Sequence, residues 1–216
     1  MSHITLIRHG QANTGARDEA EYDRLSELGH QQAVWLGDYL KSCGSHHPRL
    51  YSGTLTRHIE TAQDMDLGDA VRDERLNELE YFTLSQLLQE QHGVDIPQER
   101  EGFISHLPRV FTAWEQDELE GAPERFAAFE ARVADALRDI ADGSGPALVV
   151  TSGGLIAIAL RRLLELNMSA TARVALAIMN TSMHRLFPIG AHLSPVLFNA
   201  VPHLDTPDRQ FAQTHF

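Results

Sequence analysis

The chain has 216 residues, with 30 acidic against 18 basic side chains and a formal net charge of −12; that length suits one α/β domain with a sizeable core rather than two full domains. The negative balance excludes a nucleic-acid or anionic-membrane surface, so an anionic ligand needs a local cluster of arginines. The single Cys43 excludes an internal disulfide framework and suits a reducing compartment, and no stretch reaches the roughly 18 apolar residues of a membrane span or resembles a signal peptide. The expectation is a soluble cytoplasmic protein with no nucleic-acid or membrane partner.

Residues 3–7, "HITLI", form a β-branched run that breaks into "RHG", which predicts a buried strand ending in a glycine-containing loop. A polar stretch over 11–24 follows. Leu25, Leu28, Gln32, Trp35, Leu36 and Leu40 then recur at helical spacing, with Ser26 as the cap. "RLYSG" predicts a second strand, and Leu55, Ile59 and Ala62 share the face of a second helix. Residues 70–76 read as a third strand. From 78 to about 121 the chain turns irregular, with helical pieces around "LSQLLQEQ" and "FISHLPRVFTAWEQ", and this is expected to be an insertion or cap. Phe126, Phe129, Val133, Leu137 and Ile140 predict an amphipathic helix closed by Gly143. "PALVVT" reads as a strand covered on both faces, running through "SGG" into the helix "GGLIAIALRRLL". "RVALAIMN", "SMHRLFPI" and "LSPVLFNAV" are β-like runs, and 202–216 is a polar tail. Repeated strand-helix alternation predicts one three-layer α/β/α domain over 1–216 around a mostly parallel sheet. Ligands then bind beyond the carboxyl ends of the strands, where "RHG", "YSG" and "TSGG" all lie.

At that edge His9 follows a strand directly and stands beside Arg8. Imidazole attacks phosphorus well when a neighbouring guanidinium binds the phosphoryl oxygens, although three letters alone read equally as ordinary loop. Arg57 lies in the first turn of its helix and can swing toward the same strand ends, or be a solvated surface charge. His58, about 100° further round the helix, reads as structural. Ser152 suggests a serine nucleophile, but Val150 stands where the G-x-S-x-G elbow needs its first glycine. The twelve histidines show no zinc-like spacing, so neither metal nor cofactor is expected.

Together, "LIRHG", "SGTLTRHIETA", the acid in "RLNELE" and a late strand ending in glycine resemble the histidine phosphatase superfamily, the phosphoglycerate-mutase-like fold, over nearly the whole chain. The resemblance implies that His9 becomes transiently phosphorylated, that Arg8 and Arg57 hold the phosphoryl oxygens and that Glu78, with Glu80 as the alternative, protonates the leaving group. It also implies a second histidine at the end of the late strand, where this chain carries Ser152. The Ser152 hydroxyl and the N–H groups near Gly153 can still donate hydrogen bonds there, without the positive charge. Gln11 is a milder departure, and His184 or His203 is a candidate to supply the missing imidazole. The expected function is a phosphomonoester hydrolase acting on a small phosphorylated molecule. The alternatives are a non-catalytic phosphate-binding protein and, third, a phosphoglycerate-mutase-type phosphotransferase.

Overall fold

The computed structural model describes residues 2–190 and 192–215. β1 (Ile4–Arg8) is a five-residue buried strand, followed by the short helix α1 (Glu19–Tyr22) and by α2 (Glu27–Ser42). Ser26 caps α2, its hydroxyl accepting from Gly29 N–H at 3.1 Å. β2 (Arg49–Ser52) leads into α3 (Thr56–Asp64) and the two-residue β3 (Val71–Arg72). The stretch 78–121 folds largely into α4 (Tyr81–His92) and α5 (Arg100–Glu115). α6 (Phe126–Asp142), β4 (Ala147–Thr151), α7 (Gly153–Leu164), α8 (Met168–Ala177), β5 (Met183–Ile189) and β6 (His192–Ala200) complete the order.

The sheet runs β3-β2-β4-β1-β5-β6. β3, β2, β4 and β1 are mutually parallel, whereas β5 and β6 add an antiparallel edge. Arg8 pairs with Thr151 and Ser52 with Val150, so β1, β4 and β2 end side by side. Because successive side chains of a strand point to opposite faces, Leu6 and Val149 pack under α5, α6, α7 and α8, while Ile7, Leu148 and Val150 pack with Ala33, Leu36 and Leu40 of α2 and Ala62 of α3. This is the expected three-layer α/β arrangement.

Three local expectations change, and the closure of α6 at Gly143 holds. Most of "RVALAIMN" is the second half of α8, whose start is capped by the Asn167 side chain accepting from Ala170 N–H at 2.9 Å; a short apolar run does not by itself separate helix from strand, and the cap decides. Only Val71–Arg72 of the third strand pairs with β2, because Asp73 accepts from Arg75 N–H and starts a 3-10 turn at Glu74–Leu76. Gly143 closes α6 in an extended conformation (φ −73°) and leaves space for the Arg49 guanidinium, which donates to the Ile140 carbonyl at 2.7 Å. The polar tail is tied down: Leu204 and Ala212 are buried, and Gln32 Nε2 donates to the Ala212 carbonyl at 2.6 Å.

Candidate active site

Arg8, His9, Arg57, Glu78 and Gly153 all line one cavity of about 450 Å³ at the carboxyl ends of β1 and β4. His9 leaves β1 with its backbone N–H donating to the Thr151 carbonyl at 2.8 Å, so the end of the neighbouring strand sets its place. Its Nδ1 lies 2.7 Å from the Gly10 carbonyl. A carbonyl can only accept, so Nδ1 carries the hydrogen and Nε2 keeps the lone pair. Burial, followed by the nearby Arg57 and Arg8, holds the His9 pKa well below its ordinary 6.5, which leaves a neutral imidazole with a free basic nitrogen.

Two guanidiniums flank it. Arg8 Nη1 donates to the Ile178 carbonyl and Arg57 Nη1 to Asp23 Oδ1 at 3.0 Å. Asp23 also accepts from the N–H groups of Thr56 and Arg57 at 2.9 and 3.2 Å, so one carboxylate caps α3 and aims its arginine. The Arg57 guanidinium lies 4.9 Å from the centre of the Tyr22 ring. The Nε atoms of both arginines are buried without a partner, an arrangement suited to an anion with several acceptor oxygens.

Glu78 takes part of the cradle expected for phosphate. Its Oε2 accepts from Gly154 N–H at 2.8 Å, and its Oε1 from Leu155 N–H at 3.1 Å and from Leu79 N–H at 3.0 Å. The start of α7 thus holds a carboxylate, and a Cβ on Gly154 would come 2.5 Å from Glu78 Oε1, so the glycine permits the approach. Gly153, beside the Arg8 side chain, still faces the cavity. Glu80 is exposed, accepting from the Thr83 hydroxyl at 3.0 Å, and does not line the cavity.

Ser152 is fully buried beneath the cavity floor, with its Oγ 2.5 Å from His58 Nε2. The His58 ring centre is 5.7 Å from that of His9. The space beside Ser152 is therefore filled by an imidazole from α3. The two histidines considered for that place lie elsewhere: His184 pairs with the Ser182 hydroxyl at 2.9 Å and His203 with that of Thr181 at 2.8 Å. Burial lowers both to about 3, and neither lines the cavity. Gln11 turns to Ser26, its Oε1 accepting from the hydroxyl at 2.9 Å.

The family model for the histidine phosphatase superfamily (branch 1) matches residues 4–200. The chain belongs to that superfamily. It is 35% identical over 97 residues to the 2,3-bisphosphoglycerate-dependent phosphoglycerate mutase of Brucella ovis, a match covering 39% of this chain and 45% of the mutase, so it spans less than half the length of that relative. Among solved structures, phosphoserine phosphatase from Entamoeba histolytica in complex with phosphoserine superposes with a TM-score of 0.71 at 19% identity, covering 94% of this chain and 100% of that one. Phosphoglycerate mutase from Bacillus anthracis gives 0.67 at 22%, covering 94% of each chain. Mycobacterial glucosyl-3-phosphoglycerate phosphatase with VO3 gives 0.64 at 24%, covering 93% of this chain and 100% of that one. These likenesses show a fold shared by phosphatases and mutases.

In this member of the superfamily, spacing alone missed three residues of the cavity region. Asp23 sits 34 positions from Arg57, with no local pattern to link them. Glu19, one residue of the polar stretch over 11–24, lines the cavity and accepts from Phe82 N–H at 2.8 Å. Burial pushes its carboxyl up to about 7, against the opposing pull of that N–H and of Arg57. His58 read as structural, because a helical wheel shows its direction but not that Ser152 stands opposite.

Proposed function

We propose that the protein is a phosphomonoester hydrolase that works through a phosphohistidine on His9. The observation that carries this reading is the neutral His9, with Nδ1 tied to the Gly10 carbonyl, standing between two arginines whose Nε atoms are buried and unpartnered. His9 Nε2 attacks phosphorus; the P–N bond forms as the P–O bond to the leaving alcohol breaks, and Glu78, acting as the general acid, gives a proton to the departing oxygen. Water then attacks the phosphohistidine, Glu78 takes up the proton, and phosphate leaves with His9 restored. Arg8, Arg57 and the Gly153 N–H bind the equatorial oxygens, where positioned electrostatic stabilisation does most to lower the barrier of phosphoryl transfer.

The phosphatases and mutases among its structural relatives support a small phosphorylated ligand at this place, and no described helix is long and apolar enough to cross a membrane. Ser152 motivates the alternative of a phosphate-binding protein without turnover, since it removes a charged donor, and the neutral His58 imidazole against its hydroxyl does not restore that charge. Incubation with a 32P-labelled phosphomonoester, acid quench and peptide mapping is expected to find phosphate on His9. Steady turnover by His9→Ala would overturn the scheme, and ligand binding with no turnover by the native protein would establish the binder.

A further inference from the structure

The walls of the same cavity bear on the alcohol half of the substrate, an inference that rests on the hydrolase reading for the role of the floor. Above the arginines the cavity is bounded by Tyr81, Phe82, Phe103, Leu107, Phe111 and Leu176. Tyr81 meets Phe82 and Phe103 edge to face, with ring centres 5.8 and 5.0 Å apart. Among the described side chains, the only cations lining the cavity are Arg8 and Arg57, both on the floor. Among the described side chains, the carboxyls of the walls are those of Glu19 and Glu99, and burial raises Glu19 to about 7. A carboxylate or second phosphate on the alcohol would be desolvated against acids, aromatic rings and the neutral Asn13, Thr14 and Gln98, with no described cation to pair it. An apolar alcohol would bury its surface favourably there.

We propose that this cavity selects phosphomonoesters of uncharged, apolar alcohols, aryl and short alkyl phosphates, over esters whose alcohol carries a carboxylate or a second phosphate. The test compares phenyl phosphate with 3-phosphoglycerate, by calorimetric Kd on His9→Ala and by initial rates on the wild type. Phenyl phosphate is expected to be favoured on the order of 10²-fold in both. Binding of benzylphosphonate and 3-phosphoglycerate to the wild type gives the same comparison without relying on the variant. Equal or tighter binding of 3-phosphoglycerate overturns the selectivity even if the wild type is an active phosphatase. Selective binding with turnover of neither ester upholds the selectivity and sinks the hydrolase reading instead. The preference is expected to persist in Arg100→Ala, whose native side chain lies outside those described; a preference seen only in that variant overturns the proposal.

A separate observation concerns the floor. His58 and Ser152 are both fully buried, Nε2 lies 2.5 Å from Oγ, and His58 Nδ1 has no partner. Burial and Arg57 hold His58 well below its ordinary pKa, so a neutral ring meets a neutral hydroxyl. A Cβ on Gly53 would come 2.2 Å from His58 Nδ1, so the glycine after β2 leaves the ring its room. Ser152 follows Thr151, whose carbonyl accepts the His9 N–H, which keeps the hydroxyl next to the nucleophile's own backbone. The geometry points to His58 as a positioning residue that, through the buried Ser152 hydroxyl, fixes the turn from β4 into α7 beneath a phosphoryl group at His9.

Vanadate binding tests this without requiring turnover. Affinity is expected to fall about tenfold in Ser152→Ala and in His58→Ala, and no further in the double variant, because both changes remove one coupled unit. His58→Gln, which keeps a polar group facing the hydroxyl, is expected to recover part of the loss and covers the case in which His58→Ala does not fold. Additive losses, or unchanged vanadate affinity in well-folded single variants, overturn the assignment.

Discussion

The floor and the walls of the cavity are built on opposite principles. The floor joins the ends of β1 and β4 to the first turns of α3 and α7, elements locked by the sheet, and it concentrates Arg8, His9 and Arg57, with His58 and Ser152 beneath them, in nearly complete burial. The walls come from α1, α4, α5 and the segments 12–16 and 96–99, and are largely apolar. The contrast teaches a division of labour. A rigid, cationic floor can serve the phosphoryl group common to every ester, while the walls meet the part that differs between esters.

The contrast can be broken from either side. The largest effect is expected from His9→Ala, which should lower kcat/KM by at least on the order of 10⁴-fold for every phosphomonoester alike, since no other nucleophile replaces Nε2; residual activity that depends on the ester would weaken the division. Next, Arg57→Ala should cost about 10²- to 10³-fold, again across substrates, in steady-state assays. A wall substitution should behave differently: Phe82→Ala is expected to lower kcat/KM for phenyl phosphate about tenfold through lost apolar contact while leaving vanadate affinity unchanged. If vanadate binding falls as much as aryl-ester turnover, floor and walls are not separable.

The smallest effect is one of stability. Glu19 is raised from 4.5 to about 7 in the folded protein, so the native state keeps a proton that the unfolded chain releases. The associated stability is present in full below about 4.5 and is lost as pH rises through 7. Thermal unfolding from pH 4.5 to 7 should therefore show Glu19→Gln gaining on the wild type as pH rises; parallel curves would mean that the carboxyl is not held neutral.

How much was legible follows from how local each signal is. Arg8 and His9 could be placed because a β-branched run ends directly in them, and Arg57 because a strand, a glycine and a helical face precede and carry it. Glu78 came only through family likeness, and its hold on the Gly154 and Leu155 N–H groups was not legible, since it joins segments 76 residues apart. Within the fold, "RVALAIMN" misled because a short run of apolar residues suits either period until its cap is seen. Glu19 looked like any solvated acid, for burial is a property of what packs over a residue.

By itself, the sequence determined the alternation of strands and helices, the edge of the sheet at which the cavity lies and the arginine-histidine pair on it. These follow from hydrophobic period and from residues adjacent along the chain, which backbone geometry alone converts into position. Only the tertiary structure decided that Glu78 fills the start of α7, that Asp23 aims Arg57, and that the imidazole beside Ser152 arrives from α3 rather than from the C-terminal strands. Those pairings depend on the packing of helices against the sheet, and a distance of 2.5 Å between residues 94 positions apart leaves no trace in local spacing.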